Sequence, residues 1–176
     1  MNFMSDAEAG PRTQLGRLAI RARLGHVPRG RDLREFFAAL LSPERASACR
    51  AVAGGVIVAW TLRRRGVRPL LAEAVEAAAV VDASSAIRVS VAVDAGLAML
   101  PLASTCLRRS LVLLQELQRR GLAATLHVGV RNVAARAEAH AWVQVDDTVI
   151  NDDPHLIGTY TQLAAGDLER LLPLMQ

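Results

Sequence analysis

The spacing of apolar residues over the first hundred positions predicts a series of helices. In residues 31–41 the apolar side chains recur at helical intervals on one side, at Leu33, Phe36, Phe37, Leu40 and Leu41. Ser42 as N-cap and Pro43 as first helical residue then predict a second helix that ends at Gly66. Two further helices are predicted over residues 69–81 and 84–100, and residues 1–12 read as a loose tail.

A helix beginning at Cys106 carries the clearest boundary signals. Ser104 and Thr105 can cap its start, and Arg119 and Arg120 followed by Gly121 mark its end. Leucines fall on one face of this helix at positions 107, 111, 114 and 117.

After Gly121 the spacing of apolar residues changes from the helical pattern to the alternation typical of strands. Residues 124–130 and 139–145 and the short stretch 148–151 read as strands, with Asp146 and Asp147 as a tight turn. The fold class is therefore α+β. A helical subdomain over residues 13–100 packs on a core over residues 101–176 to make one compact domain.

Composition excludes several classes of protein. Of the 176 residues 52% are hydrophobic, which excludes a disordered chain. All 21 basic residues are Arg, so a Schiff-base lysine, a Ser-Lys dyad and a complete P-loop are excluded. Two cysteines are too few for a four-cysteine zinc site, and a fold held together by several disulfides is not expected.

Charge and hydropathy give little indication of a nucleic-acid or membrane partner. The net charge is +4, and the Arg residues are spread along the chain. Two Trp, one Tyr and three Phe provide few rings on which nucleic-acid bases could stack. The most apolar stretch, residues 51–62, is shorter than the roughly 20 residues that span a bilayer. The N-terminus lacks the apolar segment of a signal peptide. These features predict a soluble cytoplasmic protein.

Cys106 and His140 are the candidate catalytic residues. A thiol at a helix N-terminus has its thiolate stabilised by backbone N–H groups, which can also hold an oxyanion. A His on a neighbouring strand can take and return the proton, and a carboxylate can orient that His. In residues 139–145, His140 and every second residue after it face one way, while the alanines and valines face the core.

Strand parity leaves two carboxylates open as the third member. A two-residue turn at Asp146 and Asp147 would place Asp153 on the face of His140, whereas a bulge that adds one loop residue would place Asp152 there.

The other cysteine and histidines read as structural. Cys49 lies within a predicted helix without a His nearby, and His127 lies in a strand where packing is the simplest role. His26 and His155 fall in loops. The four His have no spacing typical of a metal site, so neither metal nor cofactor is expected.

An ordered set of motifs resembles the transglutaminase-like cysteine peptidases of lasso peptide biosynthesis. The similarity covers about residues 85–165. Its motifs are C-L-R-R-S-L from Cys106, L-x-x-R-G from Leu117, L-H-V-G-V-R from Leu126, A-H-A-W-V-Q-V-D from Ala139 and V-I-N-D from Val149.

The resemblance implies a transglutaminase- or papain-like core and a catalytic set of Cys106, His140 and Asp152. Gln144 and Asp147 stand where family members often have Glu and Gly; neither change removes a catalytic group. The activity implied is cysteine endopeptidase cleavage of the leader from a ribosomally made lasso precursor, through a thioester. An acyltransferase on the same fold and a non-catalytic Arg-rich helical binding module are the alternatives.

The family has fused and split forms. Fused members carry an N-terminal winged-helix recognition domain with a small sheet, and the first hundred residues here show no set of three strands. The chain is therefore expected to be the stand-alone peptidase of a split system. Its implied partners are the precursor peptide, a separate leader-recognition protein and the lasso cyclase.

Overall fold

The computed structural model describes residues 30–66, 69–70, 83–102, 105–133 and 136–163. In chain order their helices and strands are α1 (Gly30–Leu40), α2 (Arg45–Arg65), α3 (Ala83–Ala98), α4 (Cys106–Arg119), β1 (Ala124–Val133), β2 (Arg136–Val145), β3 (Thr148–Val149), α5 (Pro154–Ile157) and β4 (Thr161–Gln162). The predicted α+β class is confirmed. The predicted tail over 1–12 and most of the predicted helix over 69–81 lie outside the described residues.

The strands in this part of the chain form one antiparallel sheet in the order β3-β2-β1-β4. Strands β1 and β2 pair along their whole length, from Ala124 opposite Val145 to Val133 opposite Arg136. The short strands β3 and β4 extend the two sides of this hairpin. Strand β4 was not predicted, because two residues are too few to show an alternating pattern.

Helix α4 lies between the other long helices and the sheet. Its leucines at 111, 114 and 117 are almost fully buried and share one apolar core with Val58 of α2, Val89 of α3 and Val143 of β2. The predicted leucine face is thus in the core, and Cys106 at the start of this helix is held by packing along the rest of it.

Helices α2 and α3 approach closely because each has a glycine at the contact. A Cβ on Gly96 would lie 2.3 Å from the carbonyl oxygen of Ala48, and a Cβ on Gly55 would lie 2.6 Å from the side chains of Leu97 and Leu100. Of the adjacent glycines Gly54 and Gly55, it is Gly55 that lies at this contact.

A buried carboxylate joins α4 to α2. Glu116 accepts hydrogen bonds from Ser47 at 2.5 Å and from Arg50 Nε at 2.8 Å, and Arg120 lies 3.3 Å away. Burial alone would raise the pKa of Glu116, but the bonds from Arg50 and Ser47 outweigh it and hold the pKa below its usual value. The charged form is therefore the stable one, and it fixes α2 against α4.

The start of α2 differs from the prediction. Ser42 was expected to be the N-cap, yet the helix begins at Arg45, and Ser42 Oγ donates to the carbonyl of Ala39 at 2.7 Å and accepts from Glu44 N–H at 3.2 Å. The hydroxyl closes the turn after α1 instead. The predicted end is confirmed at Gly66, whose φ of 73° suits a glycine.

Within the described ranges, none of the helices combines the length and the apolar character needed to cross a membrane.

We expect Gly96→Ala to lower the free energy of unfolding by about 1–3 kcal/mol, because the new methyl group would force α3 away from the backbone of α2. Gly54→Ala is the matched control. Its Cβ would meet only Val112 at 3.6 Å, and alanine favours the helix, so stability should stay the same or rise by about 0.5–1 kcal/mol. Urea unfolding of both variants measures the difference. Equal stability of the two would contradict the close α2–α3 contact.

Candidate active site

Cys106 is the first residue of α4, where the helix directs free N–H groups outward. Thr105 is the N-cap, and its Oγ accepts the N–H of Arg108 at 3.3 Å. The thiol is only partly buried and is a free cysteine. A developing negative charge at Cys106 therefore meets the positive end of the helix dipole.

The structure brings His140 and Asp152 to this thiol. His140 Nε2 lies 2.6 Å from Asp152 Oδ2, and the Cys106 thiol is near enough to the same imidazole for each group to shift the pKa of the other. Because Nε2 is taken by the carboxylate, Nδ1 is the ring nitrogen that is left for the sulfur. The side chains of His140 and Asp152 are 18% and 17% exposed, which shields the pair while leaving access to the thiol.

Electrostatics favour the ionised form of the Cys–His pair. Burial alone raises the pKa of the Cys106 thiol, but hydrogen bonds with His140 and with the backbone at Ala141 and Leu107 outweigh burial and lower the pKa. The interaction with Cys106 is the largest effect on the pKa of His140 and raises it. Burial lowers this pKa, and the hydrogen bond with Asp152 raises it further. A thiolate beside an imidazolium is the reactive form of a nucleophilic cysteine.

Asp152, and not Asp153, lies beside His140, and the cause is not the bulge that would have explained it. Of the two alternatives left open by strand parity, the structure has the two-residue turn, with Val145 opposite Thr148. The alternation is broken later. Asn151 Oδ1 accepts the N–H of Val143 at 2.8 Å, at the position where a regular ladder would use the carbonyl of Ile150.

Asp153 serves as a helix cap. Its carboxylate accepts the N–H of His155 at 2.9 Å at the start of α5. The two neighbouring aspartates thus have separate tasks, since one contacts the imidazole and the other closes a turn.

An aromatic ring covers one face of the imidazole. Tyr160 stacks on His140 with ring centroids 5.3 Å apart, and the guanidinium of Arg131 lies 4.5 Å over the Tyr160 ring. Gly129 pairs with His140 across the sheet, and a Cβ there would lie 2.9 Å from Cβ of Tyr160. Sequence reasoning missed Tyr160. The glycine opposite His140 was the available signal that another group packs there.

An ion pair and a groove lie beside the same end of α4. Arg109 binds Asp94 of α3 through two hydrogen bonds of 2.6 and 2.7 Å. Burial, and to a smaller extent the charge of Asp152, raise the pKa of Asp94, although Arg109 opposes both. The pair lines a largely apolar groove of about 980 Å³ between α1 and α3. Neither the pair nor the groove was predicted.

The other described cysteine and histidines are either exposed or packed within the sheet. Cys49 is exposed on α2, so it has no part in the core. His127 stacks on Trp142 at 5.8 Å and hydrogen-bonds to Gln162 at 2.7 Å, in agreement with a packing role. His155 is exposed on α5, and His26 lies outside the described residues. Among the residues with described positions, no three His, Cys, Asp or Glu side chains cluster as metal ligands.

This arrangement is suited to nucleophilic attack on a carbonyl. The thiolate is held at a helix N-terminus, where the backbone N–H groups of the first turn can bind the oxyanion that forms. His140 can pass a proton to a leaving group, and Asp152 holds the ring in orientation.

Comparison with known proteins places the chain in a family. Residues 49–165, more than half of the chain, match the family model described as the transglutaminase-like superfamily. No curated protein and no solved structure matches the chain significantly. The chain belongs to the transglutaminase-like superfamily, whose members are commonly cysteine-dependent enzymes.

We expect iodoacetamide to alkylate Cys106 at a pH below that of an ordinary thiol, for which the pKa is about 8.5. The alkylation midpoint is the pH at which the alkylation rate is half its maximum. Asp152→Asn should raise this midpoint by about one pH unit, because the imidazolium loses its carboxylate partner and stabilises the thiolate less. Asp153→Asn should leave the midpoint in place. The measurement uses the Cys49→Ala background, in which Cys106 is the one thiol left of two.

A shift caused by Asp153→Asn, with none from Asp152→Asn, would contradict this geometry.

Proposed function

We propose that this transglutaminase-like protein is a cysteine endopeptidase that removes the leader from a ribosomally made lasso precursor peptide. The observation that carries the proposal is the position of His140, whose Nε2 lies 2.6 Å from the Asp152 carboxylate and whose imidazole lowers the pKa of the neighbouring Cys106 thiol at the start of α4. These three residues are the proposed catalytic set.

In the proposed reaction the Cys106 thiolate attacks the carbonyl carbon at the end of the leader. A C–S bond forms, and the carbonyl oxygen takes the negative charge beside the N-terminus of α4. The tetrahedral intermediate then loses the amine of the following residue, which takes the proton from the His140 imidazolium, and a thioester remains. Water, deprotonated by His140, hydrolyses the thioester and restores the thiol and imidazole.

A groove that reaches the first turn of α4 supports a peptide substrate. The groove of about 980 Å³ between α1 and α3 is lined by apolar side chains such as Val91 and Leu102, and it reaches Arg109, one turn from Cys106. A groove of this size and lining can hold several apolar side chains of an extended peptide.

The lasso assignment goes beyond the superfamily, and it is supported by the order of motifs around the three residues. C-L-R-R-S-L contains the nucleophile, A-H-A-W-V-Q-V-D the base and V-I-N-D the acid. Each motif also contains residues that pack the site, Ser110 and Asn151 among them. We propose a cytoplasmic setting, in which free thiols such as Cys49 and Cys106 stay reduced.

We further propose that leader binding is supplied by a separate recognition protein, and that the lasso cyclase takes the released core peptide. The support is the sequence pattern before Cys106, which is helical over α1, α2 and α3 in the described residues.

Cys106→Ala should abolish leader removal without loss of the fold, because no other group in the site can form the thioester. Cys49→Ala is the control and should keep full activity, since this thiol is exposed and remote in the fold. Mass spectrometry of precursor cleavage measures both, with circular dichroism as the test of folding. Cleavage by the Cys106→Ala variant would disprove the cysteine-peptidase mechanism.

The same assay run with an added primary amine distinguishes hydrolysis from acyl transfer. We expect the free carboxylate as the main product. An amide of the added amine as the main product would favour the acyltransferase.

Cleavage of the full-length precursor should be slow with the enzyme alone and faster by roughly a hundredfold or more when the leader-binding protein is present. The reason is that a recognition protein that holds both leader and enzyme raises the local substrate concentration. The cleavage rate is measured with and without the leader-binding protein, first for the full-length precursor and then for a precursor that lacks the recognition segment of its leader. Equal rates with and without the partner would show that this chain binds the leader by itself.

A further inference from the structure

Two buried polar side chains, Ser110 and Asn151, lie behind the candidate catalytic residues. Their exposed fractions are 0% and 5%, so neither is placed to touch a substrate. Asn151 Nδ2 donates to Ser110 Oγ at 2.9 Å, and Ser110 Oγ donates to the carbonyl of Ala141 at 2.9 Å. Asn151 Oδ1 accepts the N–H of Val143 at 2.8 Å.

The three bonds connect the three elements that carry the catalytic set. Ser110 lies one helical turn after Cys106 on α4. Ala141 follows His140 directly on β2. Asn151 directly precedes Asp152. Each member of the network is thus adjacent in the fold to a different catalytic residue, and a shift of any one element would have to break a buried hydrogen bond.

Asn151 also explains why Asp152 faces the imidazole. Val145 opposite Thr148 and Gln144 opposite Val149 are regular pairs, and continued alternation would place Asp153 on the face of His140. The chain leaves this ladder because the Asn151 amide, and not the Ile150 carbonyl, takes the N–H of Val143. The side chain of Asn151 therefore sets the direction of the next residue.

We propose that Ser110 and Asn151 are positioning residues that set the distances among Cys106, His140 and Asp152. The Ser110–Asn151 hydrogen bond holds α4 at a fixed position against β2 and the Asp152 loop. The inference rests on the proposed function only for its turnover readout, because the state of the thiol can be measured without any substrate.

Two substitutions remove this bond in different ways. Ser110→Ala removes the hydroxyl and both of its bonds. Asn151→Asp keeps an oxygen for the N–H of Val143 but loses the N–H that donates to Ser110. Ser47→Ala is the matched control, because it removes another fully buried serine hydroxyl that bonds across elements, to Glu116 and far from the site.

We expect Ser110→Ala and Asn151→Asp to lower kcat for precursor cleavage by roughly 10- to 100-fold, since small displacements of reacting groups have effects of this size. KM should stay within about twofold. In the Cys49→Ala background both should also move the alkylation midpoint of Cys106 upward. The double variant should cost little more than the stronger single variant, because both remove the same bond.

Ser47→Ala should lower the free energy of unfolding by an amount similar to that for Ser110→Ala, yet leave kcat and the alkylation midpoint unchanged. If the two positioning variants lose stability while kcat and the midpoint match Ser47→Ala, the network is structural only and the inference is overturned. If Ser110→Ala does not fold, Asn151→Asp decides by the same two readouts. Shifted alkylation in a protein that cleaves no precursor would uphold the positioning role and reject the proposed substrate.

Discussion

The burial of α4 on almost every side is the constraint on which the rest of the structure depends. Seven of its residues are buried, among them two that are polar, Ser110 and Glu116. A buried polar group destabilises the fold unless it is hydrogen-bonded, so each of the two must find its partners on neighbouring elements. Glu116 finds them on α2, and Ser110 finds them on β2 and the loop after β3. Glu116 thus ties the C-terminal half of α4 to α2, whereas Ser110 ties the half that carries Cys106 to the sheet.

The charges near the thiol are balanced in the same way. A thiolate in a partly buried position is costly unless a cation lies beside it, and His140 can be that cation because Cys106 and Asp152 both raise the pKa of its imidazole. Asp94 adds a further negative charge close to Asp152, and the two bonds from Arg109 compensate for it. The site can thus hold several ionised groups near one helix end without a large net charge.

Much of the fold and the candidate site could be predicted from the sequence, because the signals are local. Helix α4 has a regular leucine face and clear end signals, and its predicted start at Cys106 agrees with the structure. The alternation in β2 placed Val143 and Val145 in the core, as observed. The V-I-N-D motif implied Asp152 as the carboxylate beside His140, and the two side chains are in contact, although the turn before them has two residues and no bulge. What the sequence did not reveal depends on contacts distant along the chain: Tyr160 on His140, Arg109 on Asp94 and Asn151 on Ser110.

The helices before Cys106 and the sheet after it are physically inseparable in the described residues. One apolar core contains Val58 of α2, Val89 of α3, Leu114 of α4 and Val143 of β2, so removal of either half would expose the buried faces of α4. The family match likewise begins at residue 49, inside α2. It follows that α2 and α3 are part of what holds Cys106 in place. A change at the Gly96 contact would shift α3 against α2 and so alter the packing that supports α4.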